Sequence, residues 1–146
     1  MRGDRDEHPE TAIRERLLAD HRDTIVATFD AAKAAAERWE GSTADRTVVV
    51  ATLSDELTER ALQNRLPAVI ETAAEAADIE LPAPPVPAPP YVVMTGRGPI
   101  LRATGERRRV VIVVAAFAAV GRTERGPRYR FRGANPMDAL TVSIVR

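Results

Sequence analysis

Nine arginines lie between positions 102 and 132, and three of them alternate along Arg128-Tyr129-Arg130-Phe131-Arg132. A strand sends successive side chains to opposite faces, so this alternation predicts three guanidinium groups on one side and two aromatic rings on the other. Guanidinium groups in line can engage phosphates, with an affinity that falls steeply as salt rises. Tyr129 and Phe131 point away from them, so the stacking platform of an RNA-recognition sheet is not evident there. The plainer readings are an edge strand protected from aggregation by charge, or a face paired with acidic helices. A second candidate is Thr95-Gly96-Arg97-Gly98-Pro99. A glycine-flanked turn can expose its amides as a nest, and Arg97 could clamp a phosphate or carboxylate. Without a lysine and a following helix it is no phosphate-binding P-loop, and a tight hairpin turn with a solvated arginine explains it as well. The polyanion-binding set drawn from both stretches is Arg97, Arg102, Arg128, Arg130 and Arg132.

Catalytic chemistry is thinly represented. The two histidines, His8 and His21, are thirteen residues apart, not the i,i+4 spacing that sets two metal ligands on one helix face. His21 sits between Asp20 and Asp23, where a solvated or partner-contacting imidazole is the plainer reading than a ligand or base. Cysteine is absent, which excludes disulfides, thiolate catalysis and thiolate zinc sites. Ser42 and Ser54 read as helix caps and Ser143 as a strand residue, none in a nucleophile elbow. No catalytic residue, metal set or cofactor is assigned. The expected role is a non-catalytic binding or protein-interaction module, with an enzyme of unrecognised type as the remaining alternative.

Charge separates these halves sharply. Residues 1–80 carry 18 Asp and Glu against 10 Lys and Arg, whereas residues 81–146 carry 3 acids against 11 arginines, so a net charge of zero conceals −8 and +8. Either the halves neutralise each other, within the chain or in a homodimer, or the basic half meets nucleic acid or another acidic partner. The longest apolar run, residues 110–120, is too short to span a bilayer as a helix. The N-terminus lacks the apolar run of a signal peptide, so a cytoplasmic location without membrane contact is expected.

The elements that must position these side chains divide at the proline-rich stretch 81–90, which holds six prolines and which no helix can cross. Before it, Ile13, Leu17, Leu18, Ile25, Phe29, Ala32, Ala36 and Trp39 recur at helical spacing, predicting a long helix over about 10–40 that Gly41 ends. Within it Leu18, Ile25, Ala32 and Trp39 keep a seven-residue step, a seam for packing within the chain or for a partner helix, with Leu18, Ile25 and Trp39 as the interface candidates. Ser42 with Asp45 reads as a capping box for a second helix, about 44–63, although the β-branched residues 47–50 make a short strand the competing reading. Pro67 opens a third, about 67–78. After the connector come candidate strands over 91–95, 100–104, 108–120 and 128–132, and a last one marked by Leu140, Val142 and Ile144. Helices first and strands afterwards predict an α+β fold with a helical layer over 9–80 on a four- to five-stranded antiparallel sheet over about 91–145, in one domain after a charged flexible lead-in, 1–8.

The stretch PPYVVMTGRGPILRAT, and more loosely the chain from Leu66-Pro67-Ala68-Val69 onward, resembles a group of small uncharacterised haloarchaeal proteins. The habit of composition agrees: 20 arginines to one lysine, abundant alanine and valine, and no cysteine. The shared residues are structural punctuation, and the resemblance implies no activity, cofactor or catalytic residue. The neutral overall charge departs from the acidity usual under high internal salt.

Overall fold

Pro9 takes the first helical position, where its missing amide costs nothing, and α1 runs from Pro9–Glu37. The computed structural model describes residues 9–133 and 135–146. The expected lead-in, and His8 with it, lies outside the described residues. Ile13, Leu17, Ile25, Phe29, Ala31, Ala32 and Ala35 form the buried face of α1. The helix is not continuous: His21 leaves helical geometry at φ −133, ψ 25 and kinks it. The helix also stops short of Trp39, which is nonetheless buried.

A two-residue strand, β1 (Ala44–Asp45), precedes α2 (Arg46–Glu59). Asp45 is the N-cap, its carboxylate accepting from the Val48 amide at 3.0 Å, so Asp45 alone does the work expected of a Ser42–Asp45 box. The β-branched residues 47–50 are helical, because Val49, Leu53 and Leu57 share one buried face. A 3-10 turn at Gln63–Arg65 leads into α3 (Leu66–Ala76), with Pro67 in its first turn. Both α2 and α3 end on a non-glycine residue at φ 56, Ala61 and Asp78. Each is held by a bond closing the last turn, Leu62 N–H to Leu57 O at 2.9 Å and Ile79 N–H to Ala74 O at 2.8 Å.

Beyond the connector the expected single sheet is two. A four-stranded antiparallel sheet has the order β2-β3-β4-β7, from β2 (Val92–Thr95), β3 (Gly98–Thr104), β4 (Arg109–Val114) and β7 (Leu140–Val145). A second sheet, β1-β6-β5, contains the hairpin of β5 (Phe117–Thr123) and β6 (Gly126–Phe131). The strand expected over 108–120 breaks at Ala115-Ala116, where the chain leaves one sheet for the other. There Ala115 N–H donates to Ala139 O at 2.8 Å and Phe117 N–H to Arg97 O at 3.1 Å. Both alanines are buried, small enough for the crossing to pass beneath its neighbours. A short helix, α4 (Pro136–Ala139), capped by Asn135, returns the chain to β7.

Helices cover one face of the four-stranded sheet, where Val92, Leu101, Ala103, Val110, Ile112, Val114 and Leu140 are buried. Arg14 of α1 fastens the start of β7, donating from Nε to Leu140 O at 3.0 Å and from Nη2 to Met137 O. The pleat sends Val93, Ile100, Arg102, Val111 and Val113 to the opposite face, all partly exposed. The α+β class and the helical layer are therefore as expected, and the division of the strands is not.

Candidate functional site

The β5–β6 hairpin is rooted in the core and extends out of it. At its base Phe117 and Phe131 are paired residues, with ring centroids 6.3 Å apart. Phe117 meets Trp39 at 5.4 Å, and Phe131 meets Phe29 at 5.0 Å. Outward of this aromatic cluster burial falls away, and residues 119–125 are all exposed. The register shifts between Ala119 and Gly121, so that Val120 forms a bulge that sharpens the ribbon's twist. Between Phe117 and Arg132 the chain carries five arginines and one acid, Glu124.

The hairpin turn at the far end reproduces the β2–β3 turn. Thr95-Gly96-Arg97-Gly98-Pro99 and Thr123-Glu124-Arg125-Gly126-Pro127 share the pattern T-x-R-G-P. In each the threonine hydroxyl donates to the glycine carbonyl (2.7 Å to Gly98, 3.4 Å to Gly126) and accepts from the arginine amide (3.2 Å in both). In each the glycine has positive φ, +134 and +110. The result is an exposed arginine at the apex, Arg97 or Arg125, on a backbone that is already set. The repeated five-residue pattern is the sequence signal that would have placed Arg125 beside Arg97 from the start.

The predicted arginine face divides when side chains are followed. Arg130 is exposed. Arg128 donates from Nη2 to the carbonyl and hydroxyl of Thr43, both at 3.0 Å, and Arg132 donates from Nη1 to Ala115 O at 2.9 Å. These partners are neutral, so they orient the guanidinium groups without cancelling their charge. Asp45 stands opposite Arg128 in the β1–β6 register, but its carboxylate is taken by the α2 cap. At the ribbon base Arg97, Phe117, Tyr129 and Arg132 line a depression of about 430 Å³. Arg102 lies elsewhere, on β3 of the four-stranded sheet.

All the ion pairs among the described residues are within the helical half: Arg16 with Asp20 and Glu75, Arg38 with Asp55 and Glu56, and Arg60 with Glu56. No pair among the described residues joins the acidic half to the basic half. The three interface candidates are used inside the chain: Ile25 and Trp39 are buried, and Leu18 packs partly buried against the same core.

His21 is held by Thr72 of α3, with Nε2 2.7 Å from the hydroxyl. It lines an open depression of about 490 Å³ with Asp20, Asp23, Asn64 and Arg65. Among the described residues no three His, Asp or Glu side chains gather as a metal would need. Burial pushes the imidazole below its ordinary value of 6.5; Asp20 opposes that, and Arg16 and Arg65 add to it. The unfolded chain therefore takes up this proton first as pH falls. The His21 contribution to stability is complete above 6.5, declines below it, and levels off once the folded-state value is passed. His21→Gln, which keeps a partner for Thr72, is expected to flatten that part of the profile when melting is followed from about pH 8 to about pH 5.

Residues 11–145 match a family described as a domain of unknown function (DUF7988), and the chain belongs to that family. No curated protein and no solved structure matches it. Among the described residues no helix is long and apolar enough to cross a membrane.

Proposed function

We propose that this member of the DUF7988 family is a non-catalytic binding module that grips the phosphate backbone of a nucleic acid along its β5–β6 ribbon. One observation carries the reading: among the described residues no arginine of the sheet half has an acid partner, while the ion pairs of the chain are spent in the helical half. A charge of +8 concentrated in 66 residues, with no direct acid partner among the described residues, is a field for polyanions.

The ribbon gives that field a shape. From Phe117 to Thr123 it extends about 20 Å at strand rise, a length that faces about six phosphates of one nucleic-acid strand. Arg125 stands at the tip and Arg97 near the base, where the Arg97 carbonyl accepts from Phe117. Arg122 and Arg130 are exposed between them. Arg128 and Arg132 are held in place before any ligand arrives, which lowers the entropy lost on binding. Two-stranded ribbons of this kind fit a duplex groove, with phosphate contacts fixing the register.

The test is fluorescence anisotropy with labelled single- and double-stranded oligonucleotides, repeated across a range of potassium chloride concentrations. Arg122→Ala, Arg125→Ala and Arg130→Ala combined are expected to weaken binding roughly ten- to a hundredfold at low salt, and to reduce the slope of log affinity against log salt by about 2 to 3. These side chains are exposed, so the fold is not expected to change. No binding by the parent protein at low salt, or an unchanged slope in the triple variant, would sink the reading.

A further inference from the structure

Arg102 and Arg109 line a cavity of about 730 Å³ with Leu81, Pro82, Pro90 and Tyr91, on the sheet face opposite the helices. We infer that this cavity is a binding site for a small monocarboxylate with an apolar body. This site is separate from the ribbon, and the inference does not rest on the polyanion reading.

The register builds the pair. Thr104 of β3 stands directly opposite Arg109 of β4, and Arg102 is two residues along β3 on the same face. Two guanidinium groups are thus brought together with no acid paired to either among the described residues. Arg109 shows the mismatch most sharply: its Nε is buried and has no hydrogen-bond acceptor. Buried polar groups in folded proteins are nearly always satisfied, and an unsatisfied one calls for an explanation. A carboxylate can accept two parallel hydrogen bonds along the fork of such a guanidinium, and a small turn of the Arg109 side chain toward the cavity would give Nε its acceptor.

The rest of the cavity selects the body and charge of the ligand. Leu81, Pro82, Pro90 and the Tyr91 ring offer an apolar wall. Glu80 and Glu106 also line the cavity, without pairing to either arginine. The two glutamates balance the two arginines in charge, so the lining offers no net field for a dianion such as phosphate, and a monoanion is held by its close approach to the guanidinium fork. The walls are fixed in advance. Arg108 donates to Ala77 O at the end of α3, and a Cβ on Gly105 would come within 2.7 Å of Ile79, so the β3–β4 turn is fastened to the helical layer. On the other wall Arg102 N–H donates to Tyr91 O at 2.8 Å.

The experiment is a titration of the full chain with 3-phenylpropionate, followed by amide NMR shifts at Arg102 and Gly105 and by calorimetry. The expected result is saturable binding, with 3-phenylpropionamide and inorganic phosphate each at least about tenfold weaker. Arg109→Lys keeps the charge and loses the fork, and is expected to weaken the probe about tenfold. Arg102→Lys supplies the same comparison on the partly exposed partner, with melting curves confirming that each variant is folded. Phosphate binding as tightly as the probe, lysine variants with unaltered affinity, or no saturable shift in the parent protein would each overturn the inference.

Discussion

A Gly98→Ala protein is expected to lose about 4 kcal/mol of stability and to melt roughly 10–15 °C below its parent. Gly98 opens β3 at φ +134, a conformation that side chains rarely adopt. A Cβ there would lie 2.0 Å from the Val114 carbonyl oxygen and 3.4 Å from the Ala116 amide nitrogen. Both atoms belong to the backbone where the chain passes from β4 to β5, so no rotamer change can make room. Gly96, two residues earlier, is the control. Its Cβ would meet the Tyr129 ring at 2.5 Å, the far end of a side chain that can swing aside. Gly96→Ala is therefore expected to cost less than half as much. A thermal melt of the two variants side by side checks the order, and equal losses would show that the crossing is not the tight point.

Phe117→Ala comes next, with an expected loss of about 3–5 kcal/mol in a denaturant titration. Phe117 is 1% exposed and touches both Trp39 and Phe131. It is also the first residue of the ribbon, so it ties the segment that follows the long helix to the projecting arm. Phe117→Leu keeps most of the volume and is expected to lose about 1–2 kcal/mol. If the alanine variant lost no more than the leucine one, the aromatic cluster would not be what holds the ribbon to the core.

Much of this architecture can be read from residue patterns, and the failures are instructive. The face of α1 follows from Ile13, Leu17, Ile25 and Phe29, whose spacing survives the kink. The kink has no such signal: it falls at His21, whose side chain meets Thr72 fifty-one residues away. β1 is invisible in sequence because two residues carry no period, and their strand geometry comes from pairing with Tyr129 and Arg128. The split of the sheet at Ala115-Ala116 is equally silent, since alanine fits helix, strand or crossing. The glycines of the first turn were readable as turn residues, but only Gly98 has positive φ; Gly96 is small because Tyr129 lies against it. For the arginines, alternation predicts the face on which Arg128, Arg130 and Arg132 lie. Nothing in the residue order tells that Arg128 and Arg132 meet carbonyl groups, or that Arg109 Nε meets none. Those distinctions depend on which backbone atoms a long side chain reaches, and that is decided by packing.

The ribbon's isolation also governs how this protein can change over generations. Beyond the Gly121–Arg128 pair its two strands pair only with each other, and nothing in the core depends on where they end. Adding one residue to each strand lengthens the ladder while the paired positions near the base keep their faces. The reach of the arm is thus an adjustable dimension, free to drift or to be selected while the aromatic root stays unchanged.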